Sequence, residues 1–270
     1  MVIEGSVTAR PSSDARSPER RTVVLGGLPT IVATRLEFAQ MMVADCSVAR
    51  ASETAPLPKL VFSSNGQGVS LVGTDRNFAE AMAAADMIHA DGMPVVFASR
   101  LFTRTPLRER IATTDFFHDA AEAAVESGLT FFMLGGTEAQ NVAACAAIAT
   151  LYPKLKVVGR RNGYFKQEEE PAICREIVAS GADVLWVALG KPKQEYWSVR
   201  NREHLRGIGW VKTCGGLFDF LGGGVARAPD WVQKLALEWA WRTLQEPRRL
   251  GWRYLVTNPH ALYRLARYSG

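Results

Sequence analysis

Apolar and polar positions along the chain switch repeatedly between the two-residue period of a strand and the longer period of a helix. Short apolar runs predict buried strands, and segments with helical spacing separate them; the runs are KLVF, LTFFML, LKVV, ADVLWVAL and WVKTC. Parallel strands need crossover helices of about 10–15 residues, which is the length of these segments. The pattern therefore predicts a Rossmann-like α/β fold, in which a largely parallel sheet carries helices on both faces.

The two ends of the chain depart from this pattern, so we predict three parts. Residues 1–20 are polar and rich in Ser, Pro and Arg, which is typical of a disordered lead-in. Residues 21–225 form the predicted α/β domain, and their first segment, RTVVLGGLPTIVAT, predicts a strand or a hairpin with a Gly-Gly turn. Residues 226–270 predict a basic, tryptophan-rich helical appendage.

Three segments of the α/β domain carry polar or glycine-rich breaks. The run MIHADGMPVV predicts a buried strand around Asp91, although a core would have to desolvate that carboxylate. After KLVF, the stretch SSNGQG predicts a loop between a strand and a helix. The segment WVKTCGGLFDFLGGG predicts a last strand with a glycine-rich end.

Positive charge is concentrated in the appendage. Eight basic and three acidic residues lie between Arg227 and Gly270, and this excess equals the net charge of +5 of the whole chain. The same segment holds four of the seven tryptophans, Trp231, Trp239, Trp241 and Trp252. Basic residues interleaved with Trp suit an anionic membrane surface, and helices packed on the core with a solvated basic face are an equal alternative. Nucleic acid is not expected as a partner, because no binding motif accompanies the basic residues.

The remaining composition indicates a globular cytoplasmic protein. Apolar residues make up 47% of the chain and charged residues 22%. No stretch approaches 18 consecutive apolar residues, and the N-terminus lacks the apolar centre of a signal peptide. The four cysteines are widely spaced, which favours reduced thiols over a disulfide or zinc framework.

Ligands of such folds bind beyond the carboxyl ends of the strands, and the breaks in the pattern fall there. Gly135 and Gly136 end one predicted strand directly before a helix. Their backbone N–H groups and the positive end of the helix suit a phosphate ligand. The alternative is structural, because a Gly-Gly pair is also the commonest way to build a tight turn between a strand and a helix. Neither GxGxxG nor GxxxxGK[ST] occurs, so a dehydrogenase or a P-loop nucleotidase is disfavoured. Without HExxH, a DxD clamp or GxSxG, we expect no protein-held metal and a carboxylate as the base.

One series of motifs resembles a known family in order and spacing. It comprises Asn65, ADG at residues 90–92, FFMLGG, LYPKLKVVGRRNGYF, ADVLWVALGKPKQEYW and CGGLFDFLGGGVARAPDWVQKLALEWAWRTLQEPRRL. These residues resemble the WecG/TagA/CpsF glycosyltransferases (glycosyltransferase family 26), from about residue 22 to the C-terminus. The resemblance implies an inverting, metal-independent transfer of a hexose from a UDP-sugar to a lipid-linked acceptor sugar, with no cofactor. It also implies a peripheral position at the cytoplasmic face of the membrane.

The resemblance implies roles for several polar residues. Asp91 matches the proposed general base of the ADG motif, and the alternative is a cap of a helix starting at Met93 or Pro94. Ser63 and Asn65 match a T-x-N pair, with Ser in place of Thr, and Asn65 offers a donor and an acceptor to sugar hydroxyls. Other candidates for contacts with the donor or acceptor sugar are Gln67 and Gln194.

Arginines are expected to neutralise the UDP leaving group, because a guanidinium can hold two phosphate oxygens. Arg110 best matches a family arginine near the active site, and Arg108 is the neighbouring alternative. In the appendage, the candidates for contact with the diphosphate or the membrane are Arg242, Arg248, Arg249 and Arg253.

Three further residues each have a functional and a structural interpretation. Lys191 suits a place near the diphosphate, and the alternative for Lys191 and Lys193 is a solvated loop charge. Asp219 suits a ribose or sugar hydroxyl, or it caps a turn. Tyr164 suits stacking on the uracil, or it packs in the core.

The donor sugar is a choice within the family. SSNGQG resembles the exopolysaccharide branch, so we expect a glucosyl transfer to a polyprenyl-diphosphate-linked glycan, with N-acetylmannosaminyl or N-acetylmannosaminuronyl transfer as the alternative. An alternative of another class is a non-catalytic nucleotide-sugar-binding subunit of a polysaccharide assembly complex. The sequence leaves the oligomeric state open, including a homo-oligomer.

Overall fold

The computed structural model describes residues 20–224, 228, 229, 231, 232, 237–245 and 247–270. The predicted lead-in therefore lies outside the described residues, except for Arg20, which pairs with the carboxylate of Asp45. The strands are β1 (Thr22–Leu25), β2 (Leu28–Ile31), β3 (Lys59–Ser64), β4 (Met87–Ala90), β5 (Thr130–Gly135), β6 (Lys156–Arg161), β7 (Val184–Ala188) and β8 (Trp210–Thr213). The helices of the α/β part are α1 (Arg35–Ala51), α2 (Gly66–Thr74), α3 (Arg76–Ala83), α4 (Met93–Phe102), α5 (Thr113–Ser127), α6 (Glu138–Leu151), α7 (Glu170–Ala179), α8 (Lys193–Arg200) and α9 (Leu217–Leu221).

Six strands form one parallel sheet, in the order β4-β3-β8-β7-β5-β6. Alternate side chains along each strand enter two separate hydrophobic clusters. On β7, for example, Val184 and Trp186 pack with α1, α5 and α6, whereas Leu185 and Val187 pack with α3, α7 and α8. The sheet thus carries helices on both faces, which confirms the predicted Rossmann-like fold.

The predicted hairpin is also present, as the antiparallel pair β1 and β2. Its turn is made by Gly26 and Gly27, which both have positive φ, at 60° and 87°. Only glycine adopts such angles without steric cost, so the Gly-Gly pair accounts for the turn.

The prediction of a strand through Asp91 was wrong. Strand β4 ends at Ala90, and α4 begins two residues after Asp91. Pro94 lies in the first turn of α4, where its fixed φ is already helical and its missing N–H has no helical partner to lose. The apolar run is therefore divided between a strand and a helix, and Asp91 lies in the bend between them.

The predicted connection from a strand to a helix at SSNGQG is present, but it consists of Asn65 alone. Helix α2 starts directly after Asn65, whose side-chain oxygen accepts a hydrogen bond from the Gly68 N–H at 3.0 Å. At the end of β8, the predicted glycine-rich segment contains the short helix α9.

In the predicted appendage, α10 (Glu238–Gln245) precedes the long helix α11 (Pro247–Arg267). Ala261 and Leu265 of α11 are buried against α2, α4 and the hairpin. Gly73 permits this close approach, since a Cβ there would lie 2.5 Å from the guanidinium of Arg264. The appendage therefore docks on the core of its own chain. Among the residues that the structure describes, no helix combines the length and apolar character needed to cross a membrane.

Candidate active site

Two cavities open at the carboxyl edge of the sheet, where the sequence pattern places its polar breaks. The first has a volume of about 950 Å³ and is bordered by the ends of β3, β4, β7 and β8 together with α4 and α11. Eight of the predicted site residues line it: Ser63, Asn65, Gln67, Asp91, Arg110, Lys191, Gln194 and Asp219. Residues spread over more than 150 positions of the chain are thus collected around one space.

Asp91 lies at the wall of this cavity, in the bend between β4 and α4. Its backbone N–H donates to the Ser64 carbonyl at 2.8 Å, and its carboxylate oxygen Oδ1 accepts the Thr113 N–H at 2.8 Å. Thr113 is the first residue of α5, so the carboxylate stands at the positive end of that helix. Oδ2 accepts no hydrogen bond from the described residues. The alternative of a cap on α4 was wrong, because the cap residue is Gly92 and no side chain bonds to that end.

Next to Asp91 lies the Ser63–Gln67 segment. A Cβ on Gly92 would lie 3.5 Å from the Cβ of Asn65, so these two motifs are in contact. The Asn65 amide oxygen caps α2 through one lone pair, so its NH₂ group and the second lone pair of the oxygen are left for a ligand. The Lys191 ammonium group donates a hydrogen bond to the Ser63 carbonyl, with 2.8 Å between Nζ and the oxygen, and this bond fixes the end of β3. Gln67 lines the cavity from the first turn of α2.

Lys191 and Glu195 form an ion pair that water hardly reaches. The atoms Nζ and Oε1 are 2.9 Å apart, and the side chains are 7% and 0% exposed. Gln194 links the pair to the end of β8, because its NH₂ group donates to Glu195 at 2.9 Å and its oxygen accepts the Gly215 N–H at 3.0 Å. The alternative of a solvated charge is therefore wrong for Lys191, whereas Lys193 is exposed. Glu195 was not singled out as a site residue by sequence reasoning.

Lys212 is a charged residue that sequence reasoning missed. It lies in β8, is fully buried, and donates from Nζ to the Thr213 carbonyl at 2.6 Å. Burial lowers the pKa of Lys212 to about 8, while Asp91 and Glu195 are among the groups that act in the opposite direction. The signal was present in the sequence, because a lysine inside the apolar run WVKTC is as unusual as the aspartate in MIHADGMPVV. A buried positive charge thus interacts with Asp91, which lines the cavity.

Replacing Lys212 with Met is expected to stabilise the protein at pH 7 by about 1–3 kcal/mol, because the folded state there bears the full desolvation cost of the ammonium group. The pKa is about 8 in the folded state and about 10.4 in the unfolded chain. Between these values the unfolded chain binds more protons, so the stability of the wild type rises with pH and the advantage of the variant shrinks. Urea unfolding at pH 7 to 10.5 measures this difference.

Lys59 provides the matched control, since it begins the neighbouring strand β3 but is 41% exposed beside Asp86. Lys59→Met is expected to change the free energy of unfolding by less than about 1 kcal/mol. A Lys212→Met variant that is less stable than the wild type at pH 7 would contradict the prediction.

His89 is a second buried basic residue whose pKa is lowered by burial. Its Nδ1–H donates to the Ile111 carbonyl at 2.8 Å, and burial lowers its pKa well below the usual range, with Lys212 adding to the effect. His89 is therefore neutral in the folded protein and positions the segment that returns from α4 to α5.

Arg110 and Asp219 both line the first cavity. The Arg110 side chain is 12% exposed, and its Nη2 lies 3.5 Å from Oδ2 of Asp115. The neighbouring Arg108 forms an exposed ion pair with Glu37 and does not line the cavity. Asp219 lies on α9, where the Gln140 amide donates to its carboxylate. Both predicted residues are thus oriented by a fixed partner.

The second cavity, of about 690 Å³, lies at the ends of β5, β6 and β7. Tyr164 lines it with 79% of its surface exposed, so the alternative of core packing was wrong. Gly136 lines it too, but the adjacent end of α6 is already capped by Thr137 and Gln140. A Cβ on Gly135 would lie 2.3 Å from the Ala188 carbonyl, so the close approach of two strands accounts for this glycine and favours the tight-turn interpretation.

The appendage contributes residues to the first cavity that sequence reasoning did not identify. They are Tyr254, Asn258, Pro259, Ala261, Leu262, Leu265 and Ala266, all on α11. Their spacing places them on one side of the helix, a signal that the pattern contained without showing what the side would face. The side chains of the predicted Arg242, Arg248, Arg249 and Arg253 lie outside the described part of the structure.

No group of three or more His, Cys, Asp or Glu side chains that could hold a metal ion occurs within the described ranges.

The sequence is similar to known glycosyltransferases of one family. The profile of the glycosyl transferase WecG/TagA/CpsF family matches residues 17–269. A relative from Bacillus subtilis strain 168 is 31% identical over 185 residues, which cover 68% of this chain and 70% of the relative; its name is N-acetylglucosaminyldiphosphoundecaprenol N-acetyl-beta-D-mannosaminyltransferase. A relative of the same name from Bacillus spizizenii is 31% identical over 182 residues, or 67% of this chain and 68% of the relative. The chain therefore belongs to the WecG/TagA/CpsF family of glycosyltransferases.

Proposed function

We propose that this protein transfers an N-acetylmannosaminyl group from a UDP-sugar to N-acetylglucosamine linked to a polyprenyl diphosphate. The names of both relatives describe this transfer. They support the N-acetylmannosaminyl alternative over the glucosyl transfer that the sequence stretch SSNGQG favours. The observation that carries the proposal is the Asp91 carboxylate at the cavity wall. Its Oδ1 accepts the Thr113 N–H, and its Oδ2 accepts no hydrogen bond from the part of the chain that the structure describes.

The proposed reaction is a single displacement with inversion. The acceptor hydroxyl oxygen attacks the anomeric carbon, the bond between that carbon and the UDP oxygen breaks, and UDP leaves with the bonding electron pair. Oδ2 of Asp91 takes the proton of the acceptor hydroxyl as the new bond forms. Since Oδ1 is anchored to the Thr113 N–H, the base keeps its orientation during this transfer.

The negative charge on the departing UDP needs a fixed counter-charge. We assign this role to Arg110, which lines the cavity and is largely buried, so that its charge is weakly screened. The appendage arginines are further candidates. In this proposal the protein needs no resident metal, because the guanidinium groups supply the positive charge.

The donor nucleotide is assigned to the second cavity. The loop after β7 borders both cavities, because Gly190 and Lys191 line the first and Leu189 and Lys193 line the second. An exposed Tyr164 ring offers a stacking surface for uracil, and Lys193 offers a positive charge at the rim. The sugar would then reach across the loop toward Asp91.

The proposed position in the cell is the cytoplasmic face of the membrane, where the protein attaches peripherally. Exposed apolar and aromatic residues of α11, among them Trp252, Leu255 and Tyr263, suit an anionic lipid surface. Vesicle sedimentation with acceptor-free anionic vesicles tests this attachment, and absence of binding at low salt would contradict it.

A panel of donors with one defined acceptor tests the proposed transfer. The acceptor is N-acetylglucosamine on a polyprenyl diphosphate, and the donors are UDP-N-acetylmannosamine, its uronic acid and UDP-glucose. We expect UDP release and a disaccharide product with UDP-N-acetylmannosamine, at a rate at least about 10-fold above the other donors. A site that hydrogen-bonds the N-acetyl amide discriminates against glucose, which lacks it. A site that receives the neutral C6 hydroxyl discriminates against the uronic acid, whose carboxylate would lose its water without a counter-charge. Turnover of UDP-glucose alone would replace the proposed donor. Binding of UDP without turnover of any donor would indicate a non-catalytic subunit.

A further inference from the structure

Helix α4 presents an apolar stripe to the first cavity along its whole length. The stripe consists of Met93, Pro94, Phe97, Ala98, Leu101 and Phe102, which recur at every helical turn. It begins directly after Asp91 and extends for about 15 Å, the length of ten helical residues. The inner end of this stripe therefore adjoins the Asp91 carboxylate.

A second apolar stripe faces the first from the appendage. Ala261, Leu262 and Leu265 of α11 line the same cavity, and Tyr254 lines it about two to three turns earlier. Together the two stripes form a groove, which we call the α4–α11 groove. Its inner end is the wall at Asp91, and its outer end is the exposed end of α4.

The outer end of the groove is apolar and open to solvent. Leu101 is 75% exposed, Phe102 is 44% exposed, and Leu262 on the opposite wall is 61% exposed. Two exposed arginines, Arg100 and Arg104, flank the apolar pair on α4. An apolar tip between positive charges suits the surface of an anionic bilayer, where the side chains enter the acyl region and the guanidinium groups stay at the headgroups.

We propose that the α4–α11 groove holds the proximal part of the polyprenyl chain of the acceptor, and that Leu101 and Phe102 form its entrance from the bilayer. This inference rests on the proposed function and adds a binding surface to it. An amphiphile with a sugar-diphosphate head and an isoprenoid tail matches both ends of the groove, because the head meets Asp91 and the tail meets the stripes. A partner helix would fill the apolar end and leave the polar end unoccupied.

The test compares two acceptors in equilibrium binding without any sugar donor. One carries N-acetylglucosamine diphosphate on an undecaprenyl chain and the other carries it on an octyl chain, both in neutral detergent micelles. In the double variant Leu101→Ser/Phe102→Ser we expect the Kd for the long-chain acceptor to rise about 10- to 100-fold, since each tenfold loss corresponds to about 1.4 kcal/mol of lost contact. The Kd for the octyl acceptor should stay within about twofold, because its short tail ends before the tip of α4.

A second double variant, Val48→Ser/Leu151→Ser, is the control. Both residues are as exposed as the pair on α4, at 68% and 55%, and neither lines a cavity. The control should keep both affinities, and thermal unfolding should show that all variants fold.

Several results would overturn the inference. The long-chain affinity of the α4 variant could be unchanged, both acceptors could lose affinity equally, or the wild type could bind neither acceptor. Loss of adsorption to acceptor-free anionic vesicles with unchanged acceptor affinity would assign Leu101 and Phe102 to the bilayer instead. The transfer proposal is judged separately by the donor panel: acceptor binding without sugar transfer would refute the proposed function and leave the groove intact.

Discussion

Asp91→Asn is expected to reduce kcat by about 10²- to 10⁴-fold, because the substitution removes the base and changes little else. The amide oxygen of asparagine can still accept the Thr113 N–H that Oδ1 accepts in the wild type, so the bend between β4 and α4 is retained. What is lost is the open oxygen that takes the proton of the acceptor hydroxyl. Initial rates of UDP release with saturating donor and acceptor measure the effect.

Two controls separate lost chemistry from lost structure. The dissociation constant for UDP and the melting temperature of Asp91→Asn should match those of the wild type. Asp119→Asn changes a carboxylate that pairs with Arg35 and lines neither cavity, so it should retain the wild-type rate. Full activity of Asp91→Asn would exclude Asp91 as the base.

Glu195→Gln is expected to lower the free energy of unfolding by about 3 kcal/mol, the lower end of what breaking a buried ion pair costs. The substitution leaves the Lys191 ammonium group 7% exposed and without its counter-charge, although a neutral oxygen can still accept one hydrogen bond. The same change removes the negative charge of Glu195, which raises the pKa of Lys212 in the wild type. Urea unfolding at pH 7 measures the loss.

A second ion pair on the same protein provides the matched comparison. Glu203 and Arg206 have the same N–O distance of 2.9 Å, but their side chains are 68% and 48% exposed. Glu203→Gln should therefore change the free energy of unfolding by less than about 0.5 kcal/mol.

A double-mutant cycle then tests the buried pair itself. If Glu195 acts mainly through Lys191, Lys191→Met should recover part of the stability that Glu195→Gln loses. Equal losses for Glu203→Gln and Glu195→Gln would show that burial does not strengthen the pair.

The architecture could be predicted because strands and helices have local signals. The alternation of short apolar runs with helical segments is visible within windows of the sequence, and it predicted the parallel sheet and its carboxyl edge. The same reasoning placed the site, since polar breaks at the ends of parallel strands meet at one edge. Asp91 stood out because a carboxylate is costly in an apolar run.

The errors arose where one signal has two meanings. An apolar run with Asp91 and Gly92 inside suits a strand by composition, but Pro94 directs the chain into α4. Glycines after β3 suit a longer loop, but the Asn65 cap starts α2 directly after the strand. A proline in the first turn determined where α4 begins, and a side-chain cap determined where α2 begins.

Lys191 and Lys193 show what a local signal cannot contain. Only Pro192 separates the two residues, yet Lys191 in the loop is buried in an ion pair and Lys193 at the start of α8 is exposed. The difference depends on the Ser63 carbonyl, which lies 128 positions away in the chain.

The sequence by itself determined the order of the elements, the edge of the sheet that carries the site, the candidate base and the family, because these follow from short-range periodicity and from motifs. Only the tertiary structure decided which charges are buried, Lys212 among them, and that α4 and α11 face each other across a groove. Burial and facing surfaces are set by contacts between distant segments, such as Gly73 with Arg264, and no window of the sequence contains both partners.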